Sequence, residues 1–122
     1  MREQLESRLI ILAQDIDKLC NKLKNSFISS HLSKQIIRSS TSAALNYGEV
    51  QASESRKDFI HKVRLVLKEL RETHICLKLL SNSIKENERS EYKSCADECN
   101  QLIAIYHKTL ITAKSKLQIL NK

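Results

Sequence analysis

Ser55-Arg56-Lys57-Asp58-Phe59-Ile60-His61-Lys62-Val63-Arg64-Leu65-Val66-Leu67-Lys68-Glu69-Leu70 is the stretch on which the fold turns. Apolar residues recur in it at Phe59, Val63, Val66 and Leu70, and the series runs on through Thr73, Leu77, Leu80 and Ile84. Steps of three and four place all of these on one side of an α-helix, whereas a strand needs alternation at every second residue. Ser55 stands just before the series, with Asp58 three residues on. That is capping-box spacing, in which the hydroxyl accepts a backbone N–H and the acid reaches back. The reading is a helix over 55–83.

The same periodicity extends to both sides. Leu5, Leu9, Leu12, Ile16, Leu19 and Leu23 make one stripe, and Leu32, Ile36, Ser40, Ala43 and Tyr47 a smaller second one. After the central helix come Tyr92, Ala96, Cys99, Ile103, Tyr106, Leu110, Ala113, Leu117 and Leu120. These place helices over about 2–24, 30–52 and 88–121. The breaks carry capping chemistry: Ser29 or Ser30 is expected to accept an orphan N–H of the second helix, and Asn87 to cap the fourth, with Glu88 at its positive end. Gly48 is expected to loosen the end of the second helix. With no Pro and one Gly in 122 residues, tight hairpins and Gly-rich loops have little to be built from. Short connections make sequence neighbours antiparallel, so the expected fold is all-α, a single up-down-up-down four-helix bundle over 1–122.

Charge narrows the partners. Lys and Arg number 21 against 14 acids, a formal +7, and after Glu98 the chain carries Lys108, Lys114, Lys116 and Lys122 with no acid. Polyanions are natural partners for such a surface. No stretch reaches the roughly 20 apolar residues that span a bilayer, since Leu9–Ala13 is stopped by Gln14 and Asp15. Acids also interrupt the N-terminus, unlike a signal peptide. No membrane partner, a cytoplasmic location and reduced thiols are the expectation.

Chemistry of other kinds finds little to work with. A phosphate-cradling loop needs several glycines, and a di-iron bundle needs two Glu-x-x-His pairs, to which only Asp58-x-x-His61 comes near. Cys95 and Cys99 share a helix face, but His107 lies about 12 Å further along, too far for one ion, so both read as small core residues. His31, His61, His74 and His107 are scattered. The expectation is a non-enzyme with no cofactor and no metal.

One polar pattern stands out. Arg38, Ser42, Asn46 and Glu49 line an edge of the second helix, and Asp58, Lys62, Leu65, Glu69 and Glu72 line an edge of the third. Facing edges of this kind can be joined by charge-assisted hydrogen bonds, Arg38 to Glu69 or Glu72 for example. We read Arg38, Asn46, Glu49, Glu69 and Glu72 as a polar network fixing register or lying at a subunit contact. Apolar residues beyond the stripes, Ile60, Leu65, Leu67, Ile75 and Leu79 on the third helix and Leu102, Ile105, Ile111 and Ile119 on the fourth, predict an association surface and hence a homo-oligomer.

Thr41, Ser42, Asn46 and Glu49, then Asp58, Phe59, Ile60, Lys62, Lys68, Glu69, Glu72 and Thr73, resemble the bacterial four-helix-bundle proteins encoded in intervening sequences of large-subunit ribosomal RNA genes. Relatives of that family include the accessory variability determinant of diversity-generating retroelements. Ala44 stands where Gly is common there, and Ile75-Cys76 replaces an aromatic pair. The resemblance implies a bundle assembled as a five-fold ring, with nucleic acid as partner.

Together these readings predict a basic, non-catalytic nucleic-acid-binding protein, with RNA favoured over DNA. Arg56, Lys57, Lys62, Arg64, Lys108, Lys114 and Lys116 are the expected phosphate contacts. The alternative implied by the resemblance is an accessory scaffold that binds a reverse transcriptase and its template RNA.

Overall fold

The structure is a computed structural model that describes the backbone of residues 2–120 and the side chains of residues 3–119. Four helices carry the described residues, which contain no strand: α1 (Arg2–Cys20), α2 (Phe27–Val50), α3 (Arg56–Leu79) and α4 (Arg89–Leu120). The expected fourth-helix end at residue 121 and the Leu120 side chain lie outside the described residues.

Each boundary has a local cause. Ser26, in extended conformation, caps α2: its hydroxyl accepts from the N–H of Ser29 at 3.1 Å, and the Ser29 hydroxyl accepts from the N–H of Ser26 at 3.1 Å. Neither Ser29 nor Ser30 is therefore the cap, and α2 starts at residue 27 rather than 30. Ser29 instead occupies the third helical position, where its hydroxyl closes the reciprocal pair. Ser55 caps α3 as the spacing predicts, accepting from the N–H of Asp58 at 3.1 Å. The Asp58 carboxylate reaches back one residue further, to the N–H of Glu54.

After Leu79 the chain tightens into a 3-10 turn at Ser81–Ser83, so the third helix stops short of residue 83. A second 3-10 turn, Glu86–Glu88, leads straight into α4. Asn87 lies within that turn and does not hold the capping position ahead of the helix. Gly48 sits inside α2 with no positive φ, and nothing lies within 4 Å of where its Cβ would be. It leaves the helix regular rather than loosening it.

Cross-helix contacts set the directions. Tyr92 donates from its hydroxyl to the Leu77 carbonyl at 2.8 Å, and the Cys99 thiol to the Leu70 carbonyl at 3.4 Å, so α4 runs antiparallel to α3. Arg8 meets Glu98 and Lys22 meets Glu91, which makes α1 antiparallel to α4. The N–H of Lys24 donates to the Ser83 carbonyl at 3.0 Å, so α1 and α3 end at the same end of the bundle. α2 packs between α1 and α3, completing the up-down-up-down order.

One core holds the bundle, built from Leu9, Leu12, Ile16 and Leu19 of α1 and the matching stripes of the others. Burying a Leu or Ile completely contributes about 1.5–3 kcal/mol. Ile60, Leu67 and Leu102, read as surplus to the stripes, are buried core residues. α3 packs against both α2 and α4, so its buried arc is wider than a single seam. The surplus that does reach the surface includes Ile75 and Leu79 of α3 and Ile111 and Ile119 of α4, joined by Ile10, Ile11, Phe27, Ile28 and Leu45. Among the described residues no helix is long and apolar enough to cross a membrane.

Candidate nucleic-acid interface

The apolar stripe of α3 faces the core, so residues half a turn away face water. Lys57, His61, Arg64, Lys68, Arg71, Ile75 and Lys78 follow alternating steps of four and three, and all seven are exposed. The row therefore stacks along one outward face, about 32 Å from Lys57 to Lys78 at 1.5 Å per residue. It carries five cations and no acid. Among the described residues none of the five cations forms an ion pair. A cation without a neighbouring carboxylate keeps its full charge for an external anion.

The seven basic residues singled out from sequence fall into three groups. Lys57 and Arg64 belong to this row. Arg56 and Lys62 do not: Arg56 borders a cavity at the start of α3, and Lys62 is paired with Asp58 at 3.0 Å one turn away on the same helix. The Asp58 carboxyl is held below its ordinary range, by the N–H of Glu54 first and Lys62 second. Lys108, Lys114 and Lys116 are exposed, and antiparallel packing brings them to the same end of the bundle as the start of α3. Steps of six and two spread them around the solvent side of α4 instead of aligning them.

Lys68, Arg71 and Lys78 are the members that the sequence reading left out. The signal was present: basic residues at four-three spacing on the face opposite the apolar stripe. Reading charge by clusters along the chain, rather than by helix face, passes over it.

The polar edges of α2 and α3 meet. Arg38 donates to Glu69 at 3.1 Å and to Glu72, and the Glu69 side chain is only 10% exposed. Beside them Thr73 donates to the Glu69 carbonyl at 2.8 Å and accepts from the Ser39 hydroxyl at 2.7 Å, with both hydroxyls buried. Asn46 and Glu49 stand outside this network. Glu49 is exposed and Asn46 half-buried, a turn or more beyond Arg38, and among the described residues neither side chain forms a hydrogen bond or ion pair. Ser39 and Thr73 take the places that the sequence reading gave to those two.

Cys76, Cys95 and Cys99 are buried thiols, and Cys20 is half-buried. Burial pushes the Cys95 thiol up to about 11 and the Cys99 thiol up to about 12, which makes both poor nucleophiles near neutrality. Among the described residues no three His, Cys, Asp or Glu side chains gather where they could hold a metal ion.

A family model described as 23S rRNA-intervening sequence protein matches residues 6–108, most of the chain. The chain belongs to that family. A solved structure supports the same placement: a protein of unknown function from the S23 ribosomal protein family of Bacteroides thetaiotaomicron superposes with a TM-score of 0.72. It is 28% identical, and the alignment covers 87% of this chain and 97% of that one. No match was found among curated proteins. For this rRNA-intervening sequence protein, the family match spans α2 and α3 whole, and with them the polar seam and the exposed basic row.

Proposed function

We propose that this protein is a non-catalytic, homo-oligomeric nucleic-acid-binding bundle, which holds RNA in preference to DNA through phosphate contacts along the outer face of α3. The acid-free row Lys57, Arg64, Lys68, Arg71 and Lys78 carries the proposal. Five unpaired cations over about 32 Å of rigid helix present a line of charge to a phosphate backbone. The lysines of α4 add to the field at the end where α3 begins. A family named for intervening sequences of 23S rRNA favours RNA as the polyanion.

Sequence preference is weak in this account. Of the five aromatic residues only Phe27 is exposed, so little is available for stacking on bases from this surface. Self-association has separate support in the exposed Ile10, Ile11, Ile111 and Ile119, which lie off the outer row of α3, with five copies the number that the resemblance implies. A monomer by light scattering at micromolar concentration rules out that part. The reverse-transcriptase scaffold has no observation in its favour and is not adopted.

Fluorescence anisotropy of a labelled structured RNA and a DNA duplex across a salt series tests the main reading. Five phosphate contacts predict log K falling with log salt at a slope of roughly −4 to −5. No complex at low salt, or one indifferent to salt, would remove the proposal.

A further inference from the structure

Phe27 is 100% exposed, whereas Tyr47 and Tyr106 are buried and Phe59 and Tyr92 half-buried. A phenylalanine left wholly in water forgoes the burial that most such side chains find. Its backbone is nevertheless fixed. The reciprocal bonds of Ser26 and Ser29 enclose it, and the buried Ser29 hydroxyl donates to the Lys24 carbonyl at 2.7 Å. The Lys24 N–H in turn ties this turn to the Ser83 carbonyl, just past the end of α3. The ring therefore projects from a defined point with both faces open.

That point lies at the end of the basic row. Phe27, His31, Lys34 and Arg38 follow steps of four, three and four, and all four are exposed, so they form one outward row on α2. Arg38 reaches across to Glu69 and Glu72, which sets this row beside the outer face of α3, with helix axes about 10 Å apart. Towards the same end of the bundle, Arg38 to Phe27 spans about 16 Å and Glu72 to Lys78 about 9 Å, at 1.5 Å per residue. His31 thus stands nearly level with Lys78, and Phe27 about 7 Å beyond it. Lys34 adds a cation that, among the described residues, forms no ion pair.

We infer that Phe27 is a base-stacking site at the end of the α3 phosphate track, and that it takes an unpaired nucleotide of an RNA strand. The base lies on the Phe27 ring with His31 alongside, and the adjoining phosphates lie on Lys78 and Lys34. An unpaired base offers a free face to an aromatic ring, and a base inside a continuous duplex does not. Phosphate contacts alone make no such distinction. The site rests on the nucleic-acid reading, and narrows its ligand from any polyanion to a strand with an exposed base.

Fluorescence anisotropy with a short single-stranded RNA, the same strand made abasic, and an RNA duplex of equal length tests this. Phe27→Ala should weaken the single strand roughly 10-fold and leave its salt slope at the wild-type value. The abasic strand and the duplex should bind the variant as they bind wild type. Phe27→Trp, which keeps a stacking ring, should hold the single strand at least as tightly as wild type. Both variants should melt with the wild-type protein, because the side chain touches no core residue.

A Phe27→Ala protein with wild-type affinity for the single strand, or one weakened equally for the abasic strand, would overturn the inference. So would a loss of mass in light scattering, which assigns the ring to a contact between copies. A salt-dependent complex that is blind to Phe27 removes the stacking site alone. No complex with any of the three RNAs removes it together with the reading beneath it.

Discussion

Where α2 meets α3, polar groups are buried and bonded; where α1 meets α4, they stay at the rim. The first seam encloses the Ser39–Thr73 hydroxyl pair and the Glu69 carboxylate under Arg38. The second is closed at its edges, by Arg8 on Glu98 and Lys22 on Glu91, with a groove of about 530 Å³ between them lined by Ile11, Asp15, Cys95 and Glu98. Small residues explain the contrast. Ser39, Ser40 and Ala43 are buried on α2 and let α3 approach closely, whereas α1 offers Leu9, Leu12, Ile16 and Leu19 to the core. Buried polar pairs fix a register that apolar contacts alone leave looser. The helix that carries the basic row is thus the one held most firmly in place.

Core truncation should separate the seams most widely. Ile36, fully buried one turn before Ser39 and Ser40, should lose about 3–5 kcal/mol on substitution by Ala. Leu12→Ala, at a residue that borders the α1–α4 groove, should lose about 2–3 kcal/mol, because an open neighbour lets the site relax. Urea unfolding of both variants gives the comparison, and equal losses would erase it.

Alkali should attack the α4 side next. The folded thiol values of Cys95 and Cys99, about 11 and about 12, lie above the ordinary 9.0. The folded chain then binds more protons than the unfolded one above pH 9. Stability is intact below pH 9 and falls on the order of a few kcal/mol as pH rises towards 12. Denaturant midpoints unchanged between pH 9 and 11 would contradict the burial of these thiols.

Smaller effects sharpen the polar difference. Thr73→Val removes the hydroxyl that accepts from Ser39 and donates to the Glu69 carbonyl, and should cost about 1–2 kcal/mol in chemical denaturation. Arg8→Ala breaks a two-point pair with Glu98 whose side chains are 32% and 30% exposed. It should cost less than about 1 kcal/mol. A larger loss from Arg8 than from Thr73 would reverse the ranking of the two seams.

Most of the fold was legible in the sequence because four apolar stripes at helical spacing allow one answer. The cap at Ser55 was legible because Asp58 stands three residues on, whereas around Ser26 neighbouring serines present the same chemistry and only the path of the chain chooses among them. Asn87 was misplaced because a 3-10 turn takes it up before α4 begins. Ile60, Leu67 and Leu102 look surplus when each helix is given one partner, and become core once α3 packs against two. Arg38, Glu69 and Glu72 could be placed from edge spacing. The parts played by Ser39 and Thr73 could not, because a hydroxyl is bonded only by what folding puts opposite it. The basic row was hidden by its length: five cations over 22 positions form no cluster along the chain.

The row on α3 is best tested by the salt dependence of RNA binding, measured on wild type, on Arg64→Gln/Lys68→Gln/Arg71→Gln and on Lys108→Gln/Lys114→Gln/Lys116→Gln. The account predicts that the α3 triple variant lowers the slope by roughly 2–3 units, while the α4 triple variant lowers it by about 1 or less. An α3 variant that binds RNA with the wild-type affinity and slope would contradict it.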